Sequence, residues 1–440
     1  MTDFYNKKIE TMNRKDLEKH QFKLLKELLS RAVKNEYYNK KLKANNVSID
    51  DIKSLKDISK LPFLTKDDFK NNYPFGLLTV PKSELIRLHA TSGTTGNPTP
   101  AYYTRNDLET WTELIARNLY TIGLRKEDVF QNTVTHGLFT GGMGYLQGAQ
   151  RVGALVIPFG GGFTRRQIKF MQDFGVTCFH AIPSFGLKMI ETINEMGIDP
   201  KKDLELRIAM LGAELWSEST RKKIEDGLDL NAYDNYGLTE AIGPGVSCEC
   251  LEKDGLHIWE DCFYPEIIDP KTGETLEPGE EGELVLTALY RESLPVIRYR
   301  TRDLTTLIMN QCNCGRTFIR HTRIKSRIDD MLKIRGVNVF PSQIEEIVMN
   351  QKEIGYNYIV RIWKKGVLDE ITVEAEVENK YFSHCKTEDE TLREMTRIKN
   401  ELGRKLHEVT LLRINVDLKP EGSIPRSEGK VKRIFDERNK

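Results

Sequence analysis

Between about residue 85 and residue 235, short apolar runs alternate with stretches of helical spacing, and this alternation constrains the fold more than anything else. Ala154 to Pro158, Val176 to Ile182 and Leu206 to Leu211 read as buried strands. Gln167 to Phe174 and Ser217 to Gly227 read as the helices between them. Repetition of this kind predicts an α/β chain with layered sheets. Ahead of it, Leu17, Phe22, Leu24, Leu25, Leu28, Leu29 and Ala32 recur at helical spacing, an amphipathic helix over Asp16 to Lys34 with a charged outer face. Beyond it the texture changes. Asp269-Pro270-Lys271-Thr272-Gly273 and Pro278-Gly279-Glu280-Glu281-Gly282 are turn signals flanking short strands, so a β-rich subdomain is expected over about 240–325. After Ile328, Ile371, Val373, Ala375 and Val377 alternate with polar residues, as do Leu412, Ile414, Val416 and Leu418. Leu392, Met395, Ile398, Leu402 and Leu406 form a helical stripe between these two strands. The expected organisation is a large α/β domain over 1–328 and a small α+β domain over 329–440.

Charged residues make up 30% of the 440 residues and hydrophobic ones 39%, with a net charge of +1. That balance argues against a disordered chain and against a nucleic-acid binder acting through bulk charge. The apolar stretch Ala154 to Phe159 is far too short to cross a bilayer, and Met1 to Lys8 lacks the apolar segment of a signal peptide. A cytoplasmic protein without a membrane partner is the default expectation. Seven cysteines are unevenly placed: Cys248, Cys250 and Cys262 cluster, Cys312 and Cys314 pair, and Cys178 and Cys385 stand alone. Such a pattern reads as metal ligands or free thiols before disulfides.

The run Thr91-Ser92-Gly93-Thr94-Thr95-Gly96-Asn97-Pro98 carries the strongest chemical signal. Glycine lets backbone approach an anion closely, hydroxyls donate, and consecutive N–H groups in a turn form an anion-binding concavity. A polyphosphate suits such a loop; a polar surface turn is the plainer reading. No lysine follows Gly96 as a Walker loop requires, and no GxGxxG stands between a strand and a helix.

Four further segments matter by their order. Tyr236-Gly237-Leu238-Thr239-Glu240 groups an aromatic, a hydroxyl and a carboxylate, which suits a stacked base and Mg²⁺ beside phosphates, or a plain helix cap. Tyr299-Arg300-Thr301-Arg302-Asp303 follows the strand-like Pro295-Val296-Ile297, where a carboxylate can accept two ribose hydroxyls or pair with Arg302. Arg327-Ile328-Asp329-Asp330-Met331-Leu332-Lys333 falls where the texture changes and suggests a hinge. Ser427-Glu428-Gly429-Lys430-Val431-Lys432-Arg433 is a basic loop near the end of the chain.

Together these segments resemble the adenylate-forming superfamily, most closely its phenylacetate–coenzyme A ligase branch, from about Tyr73 to Arg433. Gly212-Ala213-Glu214, Gly243-Pro244-Gly245-Val246, Ile258-Trp259-Glu260-Asp261, Pro295 to Leu304 and Arg335 to Ser342 belong to the same resemblance. It implies a mobile C-terminal domain, ATP, Mg²⁺ and coenzyme A as cofactors or co-substrates, a small carboxylic acid as substrate, and a homodimer. It implies that Thr91, Ser92, Gly93, Thr94, Thr95 and Gly96 wrap the β- and γ-phosphates. Gly212, Ala213 and Glu214, with Asp234, Asn235, Tyr236 and Gly237, would form the adenine slot. Thr239 would touch phosphate, Glu240 hold Mg²⁺, and Asp303 take the ribose with help from Arg327. Asp329 would be the hinge, Lys430 the catalytic lysine of adenylation, and the Lys333–Gly336 face would turn toward the active site for thioester formation.

Asn97 stands where relatives usually carry lysine, removing a cation from near the phosphates. In the acyl pocket, His136 precedes Gly137-Leu138-Phe139-Thr140-Gly141-Gly142, where phenylacetate ligases tend to place an aromatic, and Phe159-Gly160-Gly161-Gly162-Phe163 replaces their usual Ser-Gly-Gly. The expected substrate is therefore an aryl or related acid. Cys250, His257, Cys312 and Cys314 supply three thiolates and an imidazole, a tetrahedral structural zinc set, with Cys248 the alternative to Cys250. Reduced buried thiols are the plainer reading. An adenylyltransferase that passes AMP to an acceptor, and a zinc-stabilised nucleotide-binding protein without turnover, are the alternatives to an acid–thiol ligase.

Overall fold

The computed structural model describes residues 3–91, 98–365, 368–426 and 431–438, and it divides into two units. The first comprises Met1–Ala181, Lys202–Ala213 and Asn231–Lys325; the second comprises Ile182–Lys201, Glu214–Leu230 and Ser326–Lys440.

The first unit opens with α1 (Lys7–Glu10), α2 (Arg14–Ala32), α3 (Glu36–Ala44) and α4 (Lys66–Asn71). Asn13 starts α2 by accepting the N–H of Asp16, and Leu17, Leu25, Leu28, Leu29 and Ala32 bury one face. The hairpin β1 (Arg87–Ala90) and β2 (Pro100–Tyr103) brackets the phosphate-loop candidate. Then α5 (Arg105–Thr121), β3 (Val129–Asn132), α6 (Thr140–Val152), β4 (Leu155–Ile157), α7 (Thr164–Asp173) and β5 (Cys178–Ala181) alternate. After β6 (Ile208–Gly212) and β7 (Asn231–Leu238) come β8 (Gly243–Glu249), β9 (Leu256–Ile258), β10 (Phe263–Ile268), β11 (Glu281–Ala288), β12 (Val296–Ile308) and β13 (Arg320–His321).

One continuous sheet joins them in the order β10-β11-β12-β13-β9-β8-β7-β6-β5-β3-β4. From β7 to β4 neighbours are parallel, and from β7 to β10 they are antiparallel. The parallel half needs helical crossovers and buries its central strands, so every residue of β5 and β6 is buried. β4 departs from the expected buried strand: it is the outermost of the sheet, and Leu155 is 61% exposed. An apolar run has the same composition at the edge as in the middle; only the neighbours differ.

The second unit carries α8 (Pro183–Met196), the single turn α9 (Pro200–Asp203) that leads out of it, and α10 (Glu218–Leu228). It continues with β14 (Ser326–Arg327), the hairpin β15 (Leu332–Ile334) and β16 (Val337–Val339), α11 (Pro341–Met349), β17 (Ile354–Lys365), β18 (Leu368–Val377), α12 (Glu388–Thr410), β19 (Asn415–Pro420) and β20 (Ile434–Asp436). Its sheet runs β19-β18-β17-β20. Ile371, Val373, Ala375 and Val377 are all buried. The α12 stripe is buried only from Ile398 through Leu402 and Leu406, and Leu392 is exposed. The chain is thus an α/β unit with an antiparallel β-rich half, plus a smaller α+β unit.

Candidate active site

In the first unit the parallel strands end along one edge of the sheet, the usual place for a ligand in such folds. β6 stops at Gly212, paired in register with Asn235 of β7. A Cβ on Gly212 would lie 2.5 Å from the Asn235 side-chain nitrogen and 2.7 Å from its carbonyl oxygen, so only glycine fits. The Asn235 amide donates to the Leu211 carbonyl at 2.6 Å, locking the two strand ends together. Ala213 leaves the strand at φ +68°, a conformation unusual for a residue with a side chain. Asp234 is a strut: its N–H donates to Glu249 at 2.7 Å and its carboxylate accepts from Arg323 at 3.1 Å.

Tyr236 and Asp303 meet across 67 residues of sequence, the phenol donating to the carboxylate at 2.6 Å. Asp303 is 4% exposed. His321 stands edge-on to the Tyr236 ring with centroids 5.5 Å apart. Its Nδ1 donates to the Thr322 carbonyl at 2.7 Å and its Nε2 accepts from Ser247 at 2.7 Å; burial pushes its pKa down to about 4, so it is neutral. A Cβ on Gly237 would lie 2.6 Å from the Pro244 Cα, which forces the β7 and β8 backbones close. Thr239 and Glu240 follow and are buried, and among the described residues no hydrogen bond or ion pair holds the Glu240 carboxylate. Thr91 donates its N–H to the Thr99 carbonyl at 3.0 Å and accepts the Thr99 N–H at 2.9 Å, closing the neck of its loop. Ser92, Gly93, Thr94, Thr95, Gly96 and Asn97 lie outside the described residues.

The acyl-pocket candidates sit beyond the carboxyl end of β3. His136 packs its imidazole Cδ2 at 3.2 Å from where a Gly160 side chain would begin, and burial lowers its pKa and keeps it neutral. Asn132 donates to the Gly142 carbonyl at 2.6 Å, and a Cβ on Gly142 would lie 2.9 Å from the Thr135 carbonyl carbon. Phe139 caps α6, and Gly137 faces open space.

Glu214 falls in the second unit. It accepts the N–H and hydroxyl of Ser184, at 3.0 and 2.9 Å, at the start of α8, and the N–H of Val431 at 3.4 Å. Arg327 grips Asp329 through two N–H groups, at 3.0 and 3.1 Å. Lys333 lies on β15, and Arg335 (φ +48°) and Gly336 (φ +80°) make the two-residue turn to β16, both with the positive φ of a type I′ hairpin. Lys430 lies outside the described residues. Ser184, His321 and Arg323 escaped the sequence reading, because only strand pairing and the start of α8 give them a partner in the site.

The four metal-ligand candidates converge. Cys250, His257, Cys312 and Cys314 are all buried, with ligand atoms within 4.8 Å of one another. The Sγ atoms of Cys250 and Cys312 are 3.7 Å apart, and Cys314 Sγ is 3.3 Å from His257 Nε2. A tetrahedron with Zn–S of about 2.3 Å and Zn–N of about 2.0 Å has edges of about 3.8 and 3.6 Å, so the donor set fits zinc. A hydrogen bond from Cys250, with His257 beside it, holds the Cys314 thiol below the ordinary range. Cys248 faces away, its Sγ 4.0 Å from the Asn118 carbonyl, and Cys250 is the one in the cluster.

The model of the AMP-binding enzyme matches residues 21–288, and that of the AMP-binding enzyme C-terminal domain matches residues 336–438. The chain therefore belongs to the AMP-binding enzyme family, and within it to the phenylacetate–coenzyme A ligases, an AMP-forming ligase family. It is 43% identical over 432 residues to the phenylacetate–coenzyme A ligase of Pseudomonas putida, covering 98% of this chain and 96% of that one. It is 40% identical over 441 residues to that of Thermus thermophilus, covering 98% and 99%. Among solved structures, a 2-hydroxyisobutyryl-CoA ligase in the postadenylation state, complexed with R3-HIB-AMP, shares 26% identity at TM-score 0.91, covering 99% of this chain and 92% of that one. No helix among the described residues is long and apolar enough to cross a membrane.

Proposed function

We propose that the protein joins an aryl or related carboxylic acid to coenzyme A through an acyl-adenylate, using ATP. The observation that carries this reading is Glu240: a carboxylate only 9% exposed, held by no cation among the described residues, one residue past Thr239. A carboxylate left so is suited to a divalent ion whose other ligands are phosphates and water. Mg²⁺ held by Glu240 would neutralise phosphate charge, with Thr239 touching phosphate. Tyr236 offers its ring to adenine and Asp303 accepts from the ribose hydroxyls. The loop from Thr91 to Gly96 wraps the β- and γ-phosphates.

In adenylation the acid's carboxylate oxygen bonds to the α-phosphorus and pyrophosphate leaves. Two anions must approach, and Lys430 bridges their oxygens with its charge. In the second step the coenzyme A thiolate attacks the acyl carbon and AMP leaves. His136, being neutral, brings a hydrogen-bonding group but no charge to the acyl pocket. Residues 329–440 act as the mobile domain, turning about Asp329 to exchange Lys430 for the Lys333–Gly336 face. The Arg327–Asp329 pair does not block that motion: the two side chains are 35% and 49% exposed, and such pairs are worth about 0–1 kcal/mol. Zinc bound by Cys250, His257, Cys312 and Cys314 plays a structural part.

Carboxylate-dependent pyrophosphate exchange across an acid panel, followed by analysis for CoA thioesters, tests the reading. A thioester from at least one aryl acid supports it; exchange without any thioester, or AMP passed to another acceptor, overturns it. Lys430→Ala should lower exchange by about 10²–10³.

A further inference from the structure

The residues that follow the last cysteine of the metal cluster do not end in solvent. Cys312 to Ile319 contains no strand or helix; its one backbone turn is the Gly315 N–H to the Cys312 carbonyl, at 3.0 Å. A segment without ladder hydrogen bonds takes its shape from what staples it, and here the staples are Cys312 and Cys314 at one end and Ile319, bonded to Glu260 and Ile258, at the other. From between them two side chains reach the start of the protein. Arg316, 1% exposed, donates to the Glu10 carboxylate at 2.7 Å, and Glu10 is fully buried. Arg316 also donates to the Asp3 carbonyl at 3.2 Å and stands over the Phe4 ring, 5.1 Å from its centroid. The Thr317 N–H donates to the Glu10 carbonyl at 3.1 Å, and its hydroxyl to the Met12 carbonyl at 2.6 Å.

The segment 3–13 has little means of holding itself. Its helix α1 is a single turn of four residues, below the length at which a helix sustains itself in water. Outside the cluster's side, Tyr120 and Arg125 hold Asp3, the Tyr120 ring meets Tyr5 edge-on, and Asn13 at the far end caps α2. Charge adds a second link. Zinc with three thiolates and one imidazole carries one net negative charge, and the buried Arg316 guanidinium stands between that charge and Glu10. Glu10 holds the desolvated Arg316 guanidinium in place, and a guanidinium no longer held there leaves the cluster's charge less well compensated.

We propose that the Cys250–His257–Cys312–Cys314 cluster is a metal-dependent clamp on the amino-terminal segment 3–13, acting through Arg316 and Thr317, so that metal occupancy and docking of that segment are coupled. This rests on the zinc reading given above. Coupling is reciprocal: what the metal does for the segment, the segment does for the metal.

The test is hydrogen–deuterium exchange on the full chain, with zinc bound and after its removal by chelation, together with zinc affinity by competition with a chromophoric chelator. Removing zinc should raise exchange at least about tenfold in 3–13 and 309–319 and leave β5 to β7 protected. Glu10→Gln, which keeps the side chain's size but removes its charge, should weaken zinc binding about tenfold or more, the scale of a lost outer-shell partner. Should Glu10→Gln not fold, Thr317→Val replaces it, losing the bond to the Met12 carbonyl. Zinc bound at one per chain, with exchange at 3–13 unchanged on its removal or raised equally throughout the chain, overturns the clamp. Unchanged zinc affinity in the variant does the same. A chain that takes up no zinc overturns the zinc reading and the clamp together.

Discussion

Replacing Tyr236 by phenylalanine removes one hydroxyl and leaves the ring, which makes it the sharpest probe of the nucleotide site. The lost bond is the phenol's donation to Asp303, whose 2.6 Å length is that of a charge-assisted O–H···O⁻ interaction. Asp303 is 4% exposed, so bulk water has little access to replace the donor. A hydrogen bond to a charged group contributes about 1.5–3 kcal/mol, and each 1.36 kcal/mol is tenfold, which puts the effect at roughly 10- to 150-fold. The ring still meets His321 edge-on. If Asp303 grips the ribose equally in the ground and transition states, the loss appears as a raised KM for ATP with kcat within about twofold of wild type. ATP dependence of acid-driven pyrophosphate exchange measures this, with thermal melting alongside to establish that the variant is folded. A folded Tyr236→Phe protein whose KM for ATP stays within about twofold of wild type refutes the assignment of Asp303 to the ribose.

Cys250→Ser should take zinc below one per chain by metal analysis, whereas Cys248→Ser should retain it; the reverse outcome would exchange the two cysteines' roles. Acid stability provides a separate check. Burial holds the folded-state pKa of His321 at about 4, below the ordinary 6.5. Below pH 6.5 the unfolded chain takes up a proton that the folded chain refuses until about pH 4, so this group makes stability fall as pH drops through that window. The slope is about 1.4 kcal/mol per pH unit at its steepest. His321→Asn should lose that share of the pH dependence in denaturant titrations at pH 7, 6 and 5; an unchanged acid slope would count against a buried neutral imidazole.

The chemistry was legible in the sequence wherever it resides in short contiguous runs. Tyr236 to Glu240 needs only local backbone geometry, so residue type and spacing carry it. The alternation of apolar runs likewise announced an α/β chain with layered sheets, because period and length are local properties. Burial was less legible. Leu155 reads as a core residue, and Leu392 belongs to a regular stripe, yet both are exposed. Edge position and the reach of a packed face are set by neighbours distant in sequence.

The sequence alone therefore carried the resemblance that implies the kind of reaction, since a Gly-Ser-Thr run, carboxylates and a lysine follow one another in a fixed order along the chain. Tertiary structure decided which partners those residues have. It joined Tyr236 to Asp303 across 67 residues, occupied Asp234 with Arg323 and Glu214 with Ser184, and chose Cys250 over Cys248. The reason is geometric: a hydrogen bond or a metal site depends on positions to within tenths of an ångström, and those positions come from strand register and packing between segments far apart in the chain.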